Sequence, residues 1–225
     1  MNKPIKAREP FVFYSRFNLQ ELTGLKAGNL ESLLDLISTV PGSSIYHHTH
    51  RFMEKHDYLL PEPPNDFAVW IGDVLGDRTL QEKLAGIDVL QFTTIKDLRL
   101  ALVEAIDSHL SAYPRARKRF AEKDDEFHFI KSVSVIVPTP YSAESLEAFI
   151  KGLKEVSTSS IYFHMFEARL RLERQTNDFS WWLESALLLK TLGEKISSLD
   201  PYSFTLSGLR RKIIDILEEC AGDDR

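Results

Sequence analysis

The sequence predicts a mainly α-helical protein with a minor β contribution, built as two tandem homologous helical lobes packed with pseudo-two-fold symmetry. Three observations predict this fold. One block of residues occurs twice, most segments place apolar residues at helical spacing, and each copy opens with an alternating stretch typical of a strand. Residues 1–225 are long enough to form one globular unit with its own core. Hydrophobic residues make up 43% of the chain and charged residues 27%, which excludes a disordered protein.

The duplication is visible as rare residues that recur in the same order. The offset is 116 residues at first and then 112, so the first copy has four more residues, around 61–64. We expect repeat one to span residues 11–110 and repeat two 127–219, joined by a solvated linker at 111–126. The main recurring pairs are Ser44-Ile45-Tyr46 with Ser160-Ile161-Tyr162, His48 with His164, Asn65-Asp66-Phe67 with Asn177-Asp178-Phe179, and Trp70 with Trp182.

Each copy opens with a strand-like segment. Aromatic and β-branched residues alternate near 11–14 and near 127–137, as expected for half-buried strands. A lone strand cannot satisfy its own backbone groups, so we expect the two segments to pair with each other.

The remaining segments of copy one have helical patterns. Leu30, Leu33 and Ile37 follow amphipathic spacing, which predicts a first helix over about 27–39. A second helix is predicted over 44–57, a third from Asn65 or Asp66, a fourth at Thr79 and a last one over 95–110.

Copy two follows the same plan with one expected change. Glu184 and Leu188 stand at the positions of Gly72 and Gly76. Because glycine favours helix ends, its loss predicts that the third and fourth helices of copy two fuse into one.

The recurring polar residues form the candidate binding site. Histidine recurs beside tyrosine, and aspartate recurs after asparagine at the start of the third helix, where a capping role is the simplest explanation. We expect these residues to line a polar cleft between the lobes of a non-catalytic binding or regulatory module. The candidates are Tyr46, His48, Arg51, Asp66, Tyr162, His164, Glu167 and Asp178.

Arg51 and Glu167 occupy equivalent positions with opposite charge. If their helices meet near a pseudo-two-fold axis, the two side chains can pair across it.

The alternative is a metal-dependent helical enzyme of hydrolase type. His164 and Glu167 lie three residues apart, a spacing that allows two ligands on one helical face, and His48 can add a third. The metal would be a divalent ion such as zinc, manganese or iron. The binding module requires no cofactor, and its histidines are expected to form hydrogen bonds at the edge of the core.

Several classes of protein are disfavoured by composition. The formal charge is −5, which makes nucleic acid an unlikely partner, and Cys220 is the single cysteine. No segment has the 18 or so apolar residues of a membrane helix and none has the pattern of a signal peptide. We therefore expect a cytoplasmic protein that binds a protein partner or a small polar ligand. No glycine-rich phosphate loop or nucleophile elbow is present.

The duplicated pattern, with serine, isoleucine, tyrosine and histidine followed by Asn-Asp-Phe and tryptophan, resembles an uncharacterised prokaryotic family of unknown function. The resemblance covers about residues 11–218 and implies no activity. The second copy has Thr139-Pro140 at the position of Thr23-Gly24 and Glu167 at that of Arg51. These differences leave open whether the two lobes do the same job.

Overall fold

The computed structural model describes residues 6–54 and 65–223 and confirms a mainly α-helical chain with a minor β part. Two strands, β1 (Phe11–Ala27) and β2 (Phe127–Ala143), form a two-stranded sheet, here called the ribbon. Between them lie α1 (Leu30–Thr39), α2 (Gly42–Glu54), α3 (Asp66–Asp73), α4 (Arg78–Ala85) and α5 (Ile95–Ala112). After β2 come α6 (Leu146–Glu155), α7 (Thr158–Tyr162), α8 (Ala168–Leu172), α9 (Asp178–Ser185), α10 (Lys190–Ser197) and α11 (Leu206–Asp223).

The predicted pairing of the two strands is confirmed, although both strands are longer than their patterns indicated. Thr23 Oγ1 donates to the carbonyl oxygen of Phe129 at 2.7 Å, and Thr139 Oγ1 donates to that of Phe13 at 2.8 Å. The order of the partners reverses between these two hydrogen bonds, so the strands are antiparallel.

The chain divides into two compact units whose limits differ from those of the repeats. Of the described residues, 18–54 and 65–134 form the α1–α5 unit, and 6–17 and 135–223 form the α6–α11 unit. Each unit therefore contains the helices of one repeat and the opening strand segment of the other. The predicted pseudo-two-fold packing of the lobes stays a prediction.

The core of the α6–α11 unit is built around the start of β1. Phe11 lies 5.1 Å from Phe149 and 5.6 Å from Trp182, measured between ring centroids. Phe13 stacks on Phe149 at 5.4 Å. The Phe13 ring also fills the space beside Gly152, where an added Cβ would lie 2.4 Å from Phe13 Cε2. Aromatic burial thus holds this strand segment in the unit.

The core of the α1–α5 unit is built in the same way around the start of β2. The Phe127 ring lies 5.0 Å from Phe67 and 5.7 Å from Trp70. Phe129 is almost fully buried and lies 6.2 Å from Phe67.

Asparagine caps the third helix of each copy, as the sequence predicts. Asn65 accepts a hydrogen bond from Ala68 N at 2.8 Å, and Asn177 accepts one from Ser180 N at 2.9 Å. The sequence predicts that the fourth helix starts at Thr79, whereas α4 starts at Arg78 and is capped by Asp77, which accepts a hydrogen bond from Leu80 N.

The predicted fusion of the third and fourth helices in copy two is wrong. Helix α9 ends at Ser185 and α10 begins at Lys190. Leu188 adopts a left-handed φ of 61°, which matches the φ of 66° at its counterpart Gly76. The backbone turn is thus kept without glycine, at the cost of strain in a residue with a Cβ.

Most residues of the linker are exposed, as the sequence predicts, and a few contacts anchor it to the α1–α5 unit. Ala116 lies in a 3₁₀ turn over Pro114–Lys118 and is buried. Arg117 pairs with Glu31, and Arg119 donates to the carbonyl oxygen of Leu75 at 3.1 Å.

Two predictions, the end of the second helix at Asp57 and the four-residue insertion at 61–64, lie outside the described residues. Over the described part of the chain, no helix is long and apolar enough to cross a membrane.

Candidate functional site

His48 connects three elements of the α1–α5 unit. It lies in α2 with its side chain almost fully buried. Its Nδ1 lies 2.8 Å from Asp66 Oδ2 at the start of α3, and its Nε2 accepts a hydrogen bond from the backbone N–H of Ile130 in β2 at 3.0 Å. The rings of Phe67 and Phe127 flank the imidazole at 5.4 and 4.7 Å.

His164 has the same role in the α6–α11 unit. Its Nδ1 lies 2.6 Å from Asp178 Oδ2, and its Nε2 accepts a hydrogen bond from Tyr14 N in β1 at 2.9 Å. Phe11 and Phe179 flank this ring at 4.9 and 5.4 Å. Tyr14 and Ile130 are 116 residues apart, as are the two histidines, so every partner is equivalent.

These hydrogen bonds fix the protonation of both rings. A backbone N–H can only donate, so Nε2 is the unprotonated nitrogen and Nδ1 carries the proton that is donated to aspartate. In the α6–α11 unit, burial lowers the pKa of His164, and this outweighs the raising effect of Asp178. The ring of His164 is therefore neutral, with both nitrogens engaged.

The position of the histidines explains why a two-stranded sheet is stable here. The N–H groups of Tyr14 and Ile130 point away from the opposite strand, at the outer edges of the ribbon. At each outer edge, the imidazole accepts a hydrogen bond that a third strand would otherwise accept. We call His48 and His164 the edge histidines.

A tryptophan adds a second contact to each strand segment. Trp70 Nε1 donates to the carbonyl oxygen of Asp125 at 2.7 Å, and Trp182 Nε1 donates to that of Glu9 at 2.8 Å. The recurring tryptophan of the third helix thus holds the arriving strand directly, and the recurring aspartate supports it through the histidine.

The two edge histidines differ in the exposure of their aspartates. The Asp66 side chain is 51% exposed, whereas the Asp178 side chain is 13% exposed. Asp178 Oδ2 also accepts a hydrogen bond from Arg171, whose guanidinium lies 4.6 Å from the Phe163 ring centroid. The carboxylate of the α6–α11 unit is thereby neutralised by a cation.

The helix that carries the histidine also differs between the units. Helix α2 is regular, whereas a π-helical turn over Phe163–Glu167 joins α7 to α8. The turn is buried, and Glu167 within it forms an ion pair with Arg16 of β1. In the α1–α5 unit, by contrast, His47 Nδ1 lies 3.0 Å from Oγ of Ser132, the counterpart of Arg16.

The predicted tyrosines are buried in stacks. Tyr46 stacks on His50 at 4.8 Å between ring centroids, and Tyr162 stacks on Phe166 at 5.2 Å. Both tyrosines lie inside their own units, so they contribute to packing.

Arg51 and Glu167 each have a partner within their own unit. With the Gln20 amide oriented so that its oxygen accepts, Arg51 donates to it from Nε at 3.2 Å and from Nη2 at 2.9 Å. Glu167 pairs with Arg16. The reason to expect Arg51 and Glu167 to pair with each other is therefore removed.

The residues proposed as metal ligands are engaged elsewhere. His48 and His164 use both ring nitrogens in hydrogen bonds, and Glu167 is paired with Arg16. Within residues 6–54 and 65–223, no three histidine, cysteine, aspartate or glutamate side chains group in a way that can hold a metal ion. The metal site stays a prediction that no contact supports.

Sequence reasoning missed the exposed apolar residues of the ribbon. Of the fourteen large hydrophobic side chains exposed in the described chain, eight lie on the two strands. A signal was present, because apolar residues continue to alternate beyond residue 14, but the polar residues between them hid the strand. The eight are Tyr14, Phe17, Leu19, Leu22, Leu25, Val133, Val135 and Ile136.

Comparison with known proteins places the chain in a family. The model of a family of unknown function, DUF5752, matches residues 8–218. The chain belongs to this family. The solved structure described as that of OrfY from Thermoproteus tenax matches with a TM-score of 0.79 and 30% sequence identity, and the match covers 95% of this chain and 96% of that one. A search of curated proteins finds no match. The DUF5752 assignment agrees with the resemblance to an uncharacterised family and names no activity.

Proposed function

We propose that this DUF5752 protein is a non-catalytic binding module that binds another protein through the ribbon. The binding surface consists of Phe17, Leu19, Val133 and Val135, here called the ribbon patch. The observation that carries the proposal is the exposure of these side chains: 60% for Phe17, 61% for Leu19, 41% for Val133 and 46% for Val135. Contiguous exposed apolar surface on a soluble protein commonly marks an interaction site.

The four side chains lie on one face of the ribbon. Ser134 Oγ donates to Asn18 Oδ1 at 2.7 Å, so these two side chains share a face. Alternate residues of a strand point to opposite faces, which places residues 17, 19, 133 and 135 together on the other one.

The surroundings of the ribbon patch favour an apolar partner that packs on its face. The nearby charge of Lys131 is paired with Glu21 at 2.9 Å, so the patch has no charge of one sign to attract an ion. Addition of a strand at the edge is disfavoured, because the edge histidines accept N–H groups at two positions and Pro138 and Pro140 of β2 have none to donate.

The buried polar residues support a structural role in this proposal. The recurring histidines and tryptophans contact the strand segment that enters their unit, and the recurring aspartates hydrogen-bond to those histidines. We infer that the chain arose by internal duplication and that both copies retained these contacts, since each one has its counterpart at the repeat offset. A polar cleft lined by these residues is not needed, because most of them are buried and hydrogen-bonded.

A photo-crosslinking amino acid placed at Glu21 tests the proposal, since Glu21 is an exposed ribbon residue on the same face as the patch but outside it. Leu100 on α5, which is 55% exposed, is the matched control position. We expect crosslinks to protein from the ribbon position and none from Leu100 when the labelled protein is exposed to extract of its own cells.

Loss of the ribbon crosslinks in the variant Phe17→Ser/Leu19→Ser would confirm the surface. Equal crosslinking from both positions would contradict the proposal. Stoichiometric zinc, manganese or iron in protein purified without chelators, lost in His164→Ala, would favour the metal-dependent hydrolase instead.

A further inference from the structure

Each strand contributes two residues to the ribbon patch, and the two pairs are equivalent in the duplicated sequence. Phe17 corresponds to Val133 and Leu19 to Val135 at the repeat offset of 116. Between them, the equivalent residues Asn18 and Ser134 hydrogen-bond to each other across the ribbon. Exchanging the two strands therefore leaves the apolar pattern of the patch nearly unchanged.

We infer that the partner that packs on the ribbon patch is a second copy of this chain. The inference rests on the proposed function and names the occupant of the same surface. A two-fold dimer interface is isologous, which means that one patch packs on the identical patch of the other copy. A patch with this internal equivalence presents apolar residues to apolar residues when two copies meet face to face.

The exposed area is sufficient for a weak but specific dimer. From the size and exposure of its members, the patch exposes about 400 Å² of apolar side chain per copy, within the range seen for functional patches. Two copies bury about 800 Å² from these side chains alone, and flanking groups bring the total to about 1,000 Å², the lower limit for a biological interface.

The chemistry of the patch also favours packing against an identical patch of a second copy. The four side chains are aliphatic or aromatic and carry no hydrogen-bonding group, so they offer no specificity for a polar ligand. The neighbouring Lys131 and Glu21 form an ion pair of zero net charge. Packing of two neutral apolar faces leaves no buried charge unpaired.

Sedimentation velocity of the full chain at about 1–100 μM tests the inference, which predicts a monomer–dimer equilibrium in the micromolar range. The variant Phe17→Ser/Leu19→Ser is expected to weaken dimerisation about 100-fold, because two anchor side chains are lost. Leu100→Ser is the control and is expected to dimerise as the wild type does. Far-UV circular dichroism and thermal unfolding establish that each variant is folded.

The outcomes separate this inference from the proposed function. A dimer that only the ribbon variant weakens supports both. A wild type that is monomeric up to 100 μM, or a dimer that survives in the folded ribbon variant, overturns the second copy as the occupant. If crosslinks from residue 21 to other proteins persist in that case, the proposed function stands with a different partner. If no ribbon-specific crosslink forms either, both are wrong.

Discussion

The two units perform the same structural task with differently protected carboxylates. In both, a buried histidine joins an aspartate to the outer edge of an arriving strand. In the α1–α5 unit, water reaches the half-exposed Asp66, whereas in the α6–α11 unit Arg171 neutralises the largely buried Asp178. The strand contact is thus the constant feature and the surroundings of the carboxylate are the variable one. Both histidines keep the same two partners, an aspartate and a strand N–H, and only the surroundings of the aspartate differ.

A second comparison concerns side-chain size. In α3 and α4, Gly72 faces Gln81, whereas in α9 and α10 the large and small residues are reversed, with Glu184 facing Gly193. An added Cβ at Gly72 would lie 2.1 Å from the Gln81 side chain, and one at Gly193 would lie 2.4 Å from that of Glu184. Each helix pair can hold one long side chain at this crossing, and the two units place it on opposite helices.

The largest expected effect comes from removing an edge histidine. We predict that His48→Ala and His164→Ala each lower the free energy of unfolding by about 3 kcal/mol, because a strand N–H loses its acceptor and a cavity forms. The two losses of stability are expected to be similar. After removal of the histidine, Asp66 is still solvated and Asp178 is still paired with Arg171. Urea unfolding measures them, with the exposed His128→Ala as a control near zero. A loss below 1 kcal/mol in both variants would show that these hydrogen bonds do not hold the strands.

The next effect distinguishes the two cores. Gly152→Ala places a methyl group against the buried Phe13 ring, which Phe149 prevents from moving, so we expect a loss of about 2 kcal/mol. Leu36→Ala at the equivalent position of α1 is expected to lose about 1 kcal/mol or less, because Leu36 is only half-buried. Thermal unfolding of both variants measures the difference. If Gly152→Ala were neutral, Phe13 would not be seated as described.

The long and the short side chain at this helix crossing are exchanged between the two units. This exchange predicts that substitutions of Gly72 and Gln81 are coupled. Gly72→Glu is expected to destabilise the protein while Gln81 is present, and Gln81→Gly is expected to relieve about 1 kcal/mol of that loss. The double variant reproduces the arrangement of Glu184 and Gly193. A double-mutant cycle from urea unfolding measures the coupling, and strictly additive free energies would refute the size exchange.

A smaller change in stability is expected at the left-handed turn, where one substitution should stabilise the protein and the other should destabilise it. Leu188→Gly is expected to raise the free energy of unfolding by up to about 1 kcal/mol, and Gly76→Ala is expected to lower it by about 1 kcal/mol. Neither substitution creates a clash, since the nearest atom to a Cβ at Gly76 is Arg119 Nη1 at 3.9 Å. Loss of stability in Leu188→Gly would mean that the exposed leucine contributes contacts that outweigh its backbone strain.

The smallest effect is a dependence on pH. The pKa of His164 is lowered by folding, so the unfolded chain binds the proton more readily and stability falls as the pH drops below about 6.5. This residue contributes at most about 0.7 kcal/mol of loss between pH 7 and pH 6. Unfolding free energies of the wild type and His164→Gln at both pH values measure it. An unchanged pH dependence in the variant would contradict the lowered pKa.

The sequence contained enough to predict the helices, the strand pairing and the residues of the edge contacts, but not their geometry. The spacing of Leu30, Leu33 and Ile37 fixes a helical face, and Asn65 before an apolar run fixes a cap. The identity of the strand on which His48 acts depends on a contact 82 residues away, which local periodicity does not contain. The absence of glycine at position 188 does not reveal the turn there, because Leu188 itself adopts the left-handed conformation that glycine favours.

In both units the Nε2 atom of the edge histidine, His48 or His164, accepts a backbone N–H group of the arriving strand. Nitrogen-15 NMR of the labelled full chain at pH 7.5 tests it directly, with zinc added in a second sample. We expect the Nδ1-protonated tautomer for both rings, scalar couplings from the amides of Ile130 and Tyr14 to the respective Nε2 atoms, and no change with zinc. An Nε2-protonated or doubly protonated ring without these couplings, or ring nitrogens that shift on stoichiometric zinc binding, would contradict it and return the histidines to a chemical role.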